Sequence, residues 1–220
     1  HPNIIKLFET FEDKKHIFLV MELCTGGDLW KRLKEVGRFP EVEVASLMEQ
    51  ILRPVTYLHN KRMCHRDLKP ENFLLLSQGP VTENTLKLID FGFACALNQG
   101  EYLTTKLGSA TYASPQVLAG QYDELCDVWS CGVMMYVLLS GMPPFVGKSD
   151  NEVMAGVKRG NYSFAGSVWD SISNDAKDLI RGMLRYKEWE RHDATKALNH
   201  PWLVSNAPKQ VGAEAASPLL

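Results

Sequence analysis

The fold is decided by the stretch His-Arg-Asp-Leu-Lys-Pro-Glu-Asn at positions 65–72, which leads into the apolar run Phe-Leu-Leu-Leu at 73–76. This stretch brings a carboxylate, an ammonium group and an amide into one short segment. Eighteen residues beyond Asn72, a second carboxylate, Asp90, follows the largely apolar run 86–89 and precedes Phe-Gly. Because short apolar runs are typical of buried strands, we expect Asp90 at the end of a strand.

The two segments carry the groups that phosphoryl transfer requires. That reaction needs an acceptor hydroxyl held in line, a cation beside the transferring group, and oxygen ligands for the Mg²⁺ that bridges the phosphates. Asp67, Lys69, Asn72 and Asp90 supply these groups.

Together the segments resemble the H-R-D-L-x-x-x-N and D-F-G blocks of the protein kinase superfamily. The resemblance implies that Asp67 accepts or orients the proton of the substrate hydroxyl and that Lys69 neutralises the γ-phosphate of ATP. It implies that Asn72 and Asp90 coordinate Mg²⁺. The Lys-Pro-Glu-Asn at 69–72 favours serine/threonine specificity, since tyrosine kinases usually carry Ala or Arg near this place.

The resemblance extends in order over residues 1–202 and implies an α+β, protein kinase-like fold. Residues 1–22 would form strands of the small N-terminal lobe, 23–28 the hinge and 29–202 the helical C-terminal lobe; 203–220 is expected to be a poorly ordered tail. The Gly-rich loop, the strand lysine and the regulatory glutamate of the family would lie upstream of His1. We therefore expect a fragment with a β-hairpin remnant of the small lobe, and an isolated chain that is inactive and marginal at its N-terminal end.

The same resemblance assigns a nucleotide site and a substrate cleft. Met21 would be the gatekeeper, the backbone of Glu22 and Cys24 would pair with adenine, and Leu74 would form the floor. Asp28 would meet the ribose or a substrate arginine. With Glu71 it would favour basic residues upstream of the phosphoacceptor.

A regulatory segment follows the second carboxylate. Ser109 would lie near Asp67 and Lys69 in the loop that holds the substrate chain. Thr105 occupies a position where relatives are phosphorylated, and Arg66, with Lys87 as a neighbour, would be its charge partner. The carboxylate of Glu101 would be an alternative to this phosphate and would make phosphorylation unnecessary.

Two features narrow the family resemblance. The usual Ala-Pro-Glu is Ser-Pro-Gln at 114–116, so the family's Glu–Arg ion pair would become a hydrogen bond between Gln116 and Arg191. This tripeptide, with Thr-Gly-Gly-Asp-Leu at 25–29 and His-Pro-Trp-Leu at 200–203, resembles calcium-dependent protein kinases of the calmodulin-kinase group. The sequence has no D-x-D-x-D-G-x₅-E calcium loop.

Composition excludes several classes of protein. The 220 residues are 45% hydrophobic and 23% charged with a net charge of −2, which excludes a disordered chain and a basic nucleic-acid binder. The longest apolar run, 133–139, is too short to span a membrane. Five cysteines without metal-ligand spacing indicate reduced, mostly buried thiols in an intracellular, cytoplasmic protein.

Hydrophobic periodicity predicts the main elements. A hairpin is expected from Ile4–Thr10 and Ile17–Glu22, a long amphipathic helix over 41–60 kinked at Pro54, and further helices over 150–159 and 174–186. Residues 125–139 are apolar on nearly all sides, which predicts a helix buried on its whole circumference.

Three functions remain open at this stage. The first is part of an ATP-dependent serine/threonine kinase that acts on protein substrates, completed by a small lobe and a C-terminal regulatory region elsewhere in the full-length protein. The second is a non-catalytic kinase-like interaction module, and the third is an inactive, truncated regulatory fragment. The four intact catalytic and metal-binding side chains favour the first, because a scaffold has no chemical need of them.

Overall fold

The computed structural model of the chain describes residues 1–98 and 100–207. In chain order the elements are β1 (Leu7–Glu12), β2 (Ile17–Met21), α1 (Leu29–Val36), α2 (Glu41–Asn60), β3 (Met63–Cys64), β4 (Phe73–Leu75), β5 (Leu86–Leu88), β6 (Cys95–Ala96), α3 (Pro115–Ala119), α4 (Leu125–Ser140), α5 (Asp150–Arg159), α6 (Ser167–Asp170), α7 (Asn174–Met183), α8 (Ala194–Leu198) and α9 (Pro201–Asn206). The class is α+β, as the sequence predicts.

The strands form three antiparallel pairs: β1 with β2, β3 with β6, and β4 with β5. The hairpin pairs Leu7 with Met21 and Glu12 with Ile17. Its first strand starts three residues later than predicted, because Ile4 bridges to Leu88 and the Ile5 N–H donates to the Leu88 carbonyl. The residues before β1 are thus attached to β5.

The helix α4 lies at the centre of the helical part. All its residues from Cys126 to Leu139 are buried, which confirms the expectation of a helix surrounded by protein. It packs against α2 and α7. The predicted long helix is also confirmed: α2 runs unbroken from Glu41 to Asn60 with Pro54 inside it. The helix over 174–186 is three residues shorter than predicted and ends at Met183.

Residues 203–206, which the sequence analysis assigns to a poorly ordered tail, are helical in the structure. The helix α9 continues to Asn206, and both Trp202 and Leu203 are buried. Leu203 belongs to the main core cluster, so burial of its apolar surface keeps the chain helical beyond Trp202. The remainder of the predicted tail, 208–220, lies outside the described residues.

A carboxylate fastens the start of α2 to the C-terminal helices. The Glu41 carboxylate accepts hydrogen bonds from the Ser173 N–H (2.6 Å), the Ser173 hydroxyl (2.7 Å) and the Trp202 indole N–H (2.8 Å). Ser173 also caps α7. Glu41 therefore ties together three helix ends that are distant in sequence. In the part of the chain that the structure describes, no helix has the length and apolar character needed to cross a membrane.

Candidate active site

The segment 65–72 follows β3 and folds back on itself around Asp67. The Asn72 amide donates to the Asp67 carbonyl at 2.8 Å and to its Oδ2 at 3.3 Å. The Lys69 ammonium group lies 2.7 Å from the same carboxylate oxygen. Asp67 is buried, so its carboxylate is held in one orientation by groups that the sequence places two and five residues away.

The loop that contains Ser109 lies directly against this segment. The Lys69 ammonium group donates to the Ser109 hydroxyl at 3.4 Å. Gly108 makes the approach possible: its φ is +91°, and a Cβ there would lie 2.8 Å from the Arg66 carbonyl oxygen. Ser109 is therefore brought to Asp67 and Lys69, as the sequence predicts.

The buried carboxylate of Asp127 anchors the backbone at the start of the segment 65–72. Its two oxygens accept the N–H groups of His65 at 2.8 Å and of Arg66 at 2.9 Å, and His59 Nε2 lies 3.1 Å away. Burial raises the pKa of Asp127, but the His59 hydrogen bond and charge and the other donors outweigh it and leave the pKa below its usual range. The anchor holds Arg66 at a φ of +70°, a conformation that non-glycine residues rarely adopt.

Asp90 lies at the end of β5, as expected, and its backbone also has a positive φ of 60°. The Ile89 N–H donates to the Asn72 carbonyl at 2.9 Å, and the rings of His65 and Phe91 meet edge to face with centroids 5.2 Å apart. The two segments that the sequence singles out are thus joined by backbone and ring contacts.

The side-chain oxygens of Asn72 and Asp90 are suitable ligands for a magnesium ion. Asp90 is exposed, and its carboxylate accepts one N–H, from Gly92 at 3.1 Å. Asn72 uses its amide nitrogen for Asp67, and no donor among the described residues reaches its Oδ1. Carboxylate and amide oxygens are ligands that Mg²⁺ prefers, so Asn72 and Asp90 are suited to hold it.

The hinge leaves several backbone groups without a backbone hydrogen bond among the described residues, including the two that the sequence assigns to adenine. The N–H groups of Glu22, Thr25 and Gly26 donate to the carbonyls of Lys6, Leu76 and Leu75. Among the described residues, neither the Glu22 carbonyl nor the Cys24 N–H has such a partner. One acceptor and one donor, two residues apart, are therefore available to a base edge, which is the pairing expected for adenine.

The two side chains that the sequence assigns to the walls of the nucleotide site, Met21 and Leu74, are partly accessible to solvent. Met21 is 46% exposed, and Leu74 is half-buried between the fully buried Phe73 and Leu75. Gly26 admits no side chain, because a Cβ there would lie 2.1 Å from the Ser77 carbonyl oxygen. The hinge therefore crosses closely over the end of β4.

The two acids assigned to the substrate cleft differ in how they are held. The Asp28 carboxylate accepts the Lys31 N–H at 2.7 Å and caps α1, so one of its oxygens has a structural role. Glu71 is exposed in the short 3₁₀ turn Pro70–Asn72. The sequence interpretation of Asp28 as a ligand-binding group omitted this cap.

Two side chains that the sequence places around Thr105 have other partners in this structure. The ammonium group of Lys87 is 3.0 Å from the Glu22 carboxylate. One carboxylate oxygen of Glu101 accepts the backbone and side-chain N–H groups of Asn98. In each case a nearer partner satisfies the charge.

Arg66 and Thr105 are nevertheless connected through Tyr122. The Arg66 Nε donates to the Phe93 carbonyl at 2.5 Å, and its guanidinium interacts with the Tyr122 hydroxyl. That hydroxyl donates to the Thr105 carbonyl at 2.6 Å. Thr105 itself is exposed.

The expected hydrogen bond between Gln116 and Arg191 is present, at 2.8 Å. Gln116 also donates its amide N–H to the Tyr186 carbonyl at 2.7 Å, a contact that a glutamate could not make. Arg191 is buried, and burial lowers its pKa to about 10. The Ser-Pro-Gln sequence thus keeps the guanidinium partnered without a second buried charge.

The sequence interpretation missed the ion pair between Glu22 and Lys87. The available signal is the lysine itself, which stands between two buried leucines of β5, since a buried ammonium group requires a partner. His59 has a structural role, because it supports the Asp127 anchor.

The sequence profile of the protein kinase domain matches residues 1–203. The chain therefore belongs to the protein kinase domain family. It is 48% identical over 203 residues to calcium-dependent protein kinase 3 of Plasmodium yoelii yoelii, which covers 92% of this chain and 37% of that protein. It is 43% identical over 204 residues to calcium-dependent protein kinase 5 of Plasmodium berghei, strain Anka, covering 93% of this chain and 36% of that protein.

These comparisons confirm the resemblance to the calcium-dependent group of serine/threonine kinases. The chain spans little more than a third of the length of the relatives that it matches.

Proposed function

We propose that the chain carries the catalytic machinery of a serine/threonine protein kinase, which transfers the γ-phosphoryl group of ATP to a substrate hydroxyl. The observation that carries the proposal is the cluster in which Lys69 contacts both the Asp67 carboxylate and the Ser109 hydroxyl, while the Asn72 amide donates to the same Asp67 oxygen. In this proposal residues 1–22 are strands of the small lobe, 23–28 the hinge, and 29 onward the large lobe.

Each residue of the cluster has a separate task. The Asp67 carboxylate orients the acceptor hydroxyl and takes up its proton at Oδ1 or Oδ2. Lys69 offsets negative charge on the transferring group, and Ser109 holds the ammonium group towards the substrate chain. Asn72 and Asp90 would hold Mg²⁺, which neutralises phosphate charge when bound. The hinge carbonyl of Glu22 and the Cys24 N–H would bind adenine between Met21 and Leu74.

Substrate choice follows from charge in the cleft. Asp28 retains one carboxylate oxygen outside its helix cap, and Glu71 is exposed. We propose that both favour peptides with arginine upstream of the serine or threonine. A peptide pair that differs only in Arg against Glu at these positions should show a preference for Arg, and the preference should shrink in Glu71→Gln. Equal turnover of both peptides would contradict this assignment.

We place the enzyme in the cytoplasm, because its five cysteines are free thiols and reducing compartments keep thiols in that state. Fractionation of cells that express the tagged full-length protein tests this location.

The experiment that tests the function is transfer of labelled γ-phosphate by the full-length protein with Mg·ATP. The substrate is a serine peptide, with the matching alanine peptide as a blank. Asp67→Asn should lower the rate roughly 10²- to 10⁴-fold, whereas Asp175→Asn, an exposed aspartate of α7, should leave it unchanged. No transfer by a folded parent would favour a non-catalytic module instead, and equal rates for Asp67→Asn and the parent would refute the role of Asp67.

A further inference from the structure

Three of the five cysteines are close together in the fold. Cys64 ends β3, Cys95 begins β6, and Cys126 lies in the first turn of α4. The Cys64 and Cys126 sulfurs are 3.5 Å apart, and Cys95 is the direct partner of Cys64 in the β3–β6 pair. We call these three residues the thiol cluster.

The thiol cluster lies in a small apolar core of its own. Its buried neighbours are Leu97, Ala113, Val117 and Tyr122, which form a cluster separate from the main core. Each close thiol directly precedes a residue of the active-site framework, since Cys64 is followed by His65 and Cys126 by Asp127. A change at these sulfurs is therefore transmitted to the anchor of the catalytic segment.

Metal binding does not explain the cluster well. The ligand atoms of Cys64, Cys126 and Asp127 lie within 4.8 Å of one another. However, both Asp127 oxygens already accept backbone N–H groups, so a metal would have to displace the anchor. Two sulfurs in contact are sufficient for a disulfide.

A small cavity lies beside the cluster. Its volume is about 10 Å³, and it is lined by residues that include Asp67, Ser109, Tyr112, Val117 and Cys126. This is about the space of one water molecule, and hydrogen peroxide is larger. The oxidant therefore reaches Cys126 only when the residues around the cavity move apart.

We propose that Cys64 and Cys126 are a redox modification site, where hydrogen peroxide forms a reversible disulfide between the start of the catalytic segment and the central helix. The Cys126 sulfur attacks the peroxide, the O–O bond breaks, and sulfenic acid and water are formed. The Cys64 sulfur then attacks the sulfenic sulfur and expels its oxygen as a second water. In sum two thiols and one peroxide give one disulfide and two waters, with the peroxide reduced.

The environment of the two thiols favours this order. A hydrogen bond from Cys64 lowers the pKa of Cys126, although burial leaves it above its usual value, and burial raises the pKa of Cys64 far more. The thiolate is the reactive form, so Cys126 reacts first and Cys64 resolves. Because both values are raised, oxidation is slow and requires sustained exposure to peroxide.

The effect on activity rests on the proposed kinase function. A disulfide requires the sulfurs to approach from 3.5 Å to about 2.05 Å. His65 and Asp127 are adjacent to them in sequence, so the closure moves the catalytic segment. Displacement of catalytic groups by about 1 Å lowers rates up to about 10²-fold, and we expect a loss of about tenfold or more that dithiothreitol reverses.

The test is peptide mapping of the full-length protein after a peroxide time course. Free thiols are alkylated under denaturing conditions, and the digest is analysed without reductant. The expected product is a Cys64–Cys126 linked peptide that dithiothreitol separates. Cys64→Ser and Cys126→Ser should each abolish it, whereas Cys131→Ser should retain it, since Cys131 is buried in the same helix but contacts no other sulfur among the described residues.

The mapping is independent of catalysis, so it remains decisive if the proposed function fails. If Cys64 and Cys126 are both recovered as alkylated free thiols after the peroxide treatment, the proposal is overturned. A dominant Cys64–Cys95 link, or Cys126 sulfinic acid without a link, would also overturn it. A link that forms without any change in phosphoryl transfer would keep the site and overturn its effect on activity.

Discussion

The ammonium group of Lys87 lies 3.0 Å from the carboxylate of Glu22, and this ion pair joins the hinge to the strand that ends before Asp90. The side chains of Lys87 and Glu22 are 11% and 22% exposed. Burial raises the pKa of Glu22, but the hydrogen bond and charge of Lys87, with a hydrogen bond from the Lys6 N–H, outweigh it and leave the pKa lowered. Glu22 is therefore ionised near neutral pH, and we propose that the pair positions its backbone carbonyl.

Lys87→Met should weaken nucleotide binding roughly tenfold, the order expected when a charge-assisted hydrogen bond of about 1.5 kcal/mol is lost. The reason is that Glu22 loses its partner and the hinge carbonyl loses its support. Titration of the full-length protein with a fluorescent ATP analogue measures the affinity. Lys87→Arg retains the charge and should remain close to the parent; equal affinity for Lys87→Met and the parent would refute the positioning role.

Asp67→Asn and Asp90→Asn should separate catalysis from nucleotide binding. Asp67 faces the acceptor, so its variant should retain the affinity for Mg·ATP while losing phosphoryl transfer. Asp90 would hold the metal, so its variant should bind Mg·ATP more weakly. The same fluorescent titration, with and without Mg²⁺, distinguishes the two. An equal loss of affinity in both variants would show that the roles are assigned wrongly.

Gln116→Ala should destabilise the protein by about 1–3 kcal/mol, because the buried guanidinium of Arg191 loses one of its partners. Gln116→Glu should change stability much less. It adds a charge opposite Arg191 but gives up the hydrogen bond to the Tyr186 carbonyl. Urea denaturation followed by circular dichroism measures both variants. A Gln116→Ala variant as stable as the parent would mean that the hydrogen bonds from the Arg191 guanidinium to backbone carbonyls are sufficient to stabilise it.

The carboxylate of Glu41 should make stability depend on pH. Burial raises its pKa, but the hydrogen bonds from Ser173 and Trp202 and the charge of Lys177 outweigh this and lower it in the folded state. Its stabilising contribution is therefore complete above the unfolded pKa of about 4.3 and is lost as the pH falls through the lower folded pKa.

Glu41→Gln should accordingly be less stable than the parent near neutral pH, and the difference should shrink below about pH 4.3. Urea denaturation at several pH values measures the difference. A difference that stays constant down to the acid limit of the folded state would show that Glu41 is not the titrating group.

Thr105 should carry phosphate in the active full-length protein. Its carbonyl accepts a hydrogen bond from Tyr122, and the Tyr122 hydroxyl interacts with Arg66. Thr105→Ala should then lower phosphoryl transfer several-fold, while Thr104→Ala, at the neighbouring exposed threonine, should not. Phosphopeptide mapping and activity assays measure the two effects. An active protein with unmodified Thr105, together with a fully active Thr105→Ala variant, would exclude a switch at this residue.

Local sequence patterns were sufficient for the long helices. The apolar stripe of α2 and the all-round apolar character of α4 are properties of consecutive residues, and packing against neighbours preserved both. Boundaries were less accurate. The strand β1 starts late because Ile4 pairs with Leu88, and α9 extends because Leu203 is buried in the core. Both causes are contacts between residues distant in sequence.

What the sequence by itself determined is the chemistry of the catalytic segment: which side chains are present, in which order, and at what spacing from Asp67 to Asn72 and Asp90. Their spacing places Lys69 and Asn72 on the same short loop as Asp67, so those contacts are local. Only the tertiary structure decided the partners of charged groups that meet across the fold. Lys87 pairs with Glu22, and Cys64 meets Cys126. A buried charge needs a partner, and three-dimensional packing decides which group is near enough to be that partner.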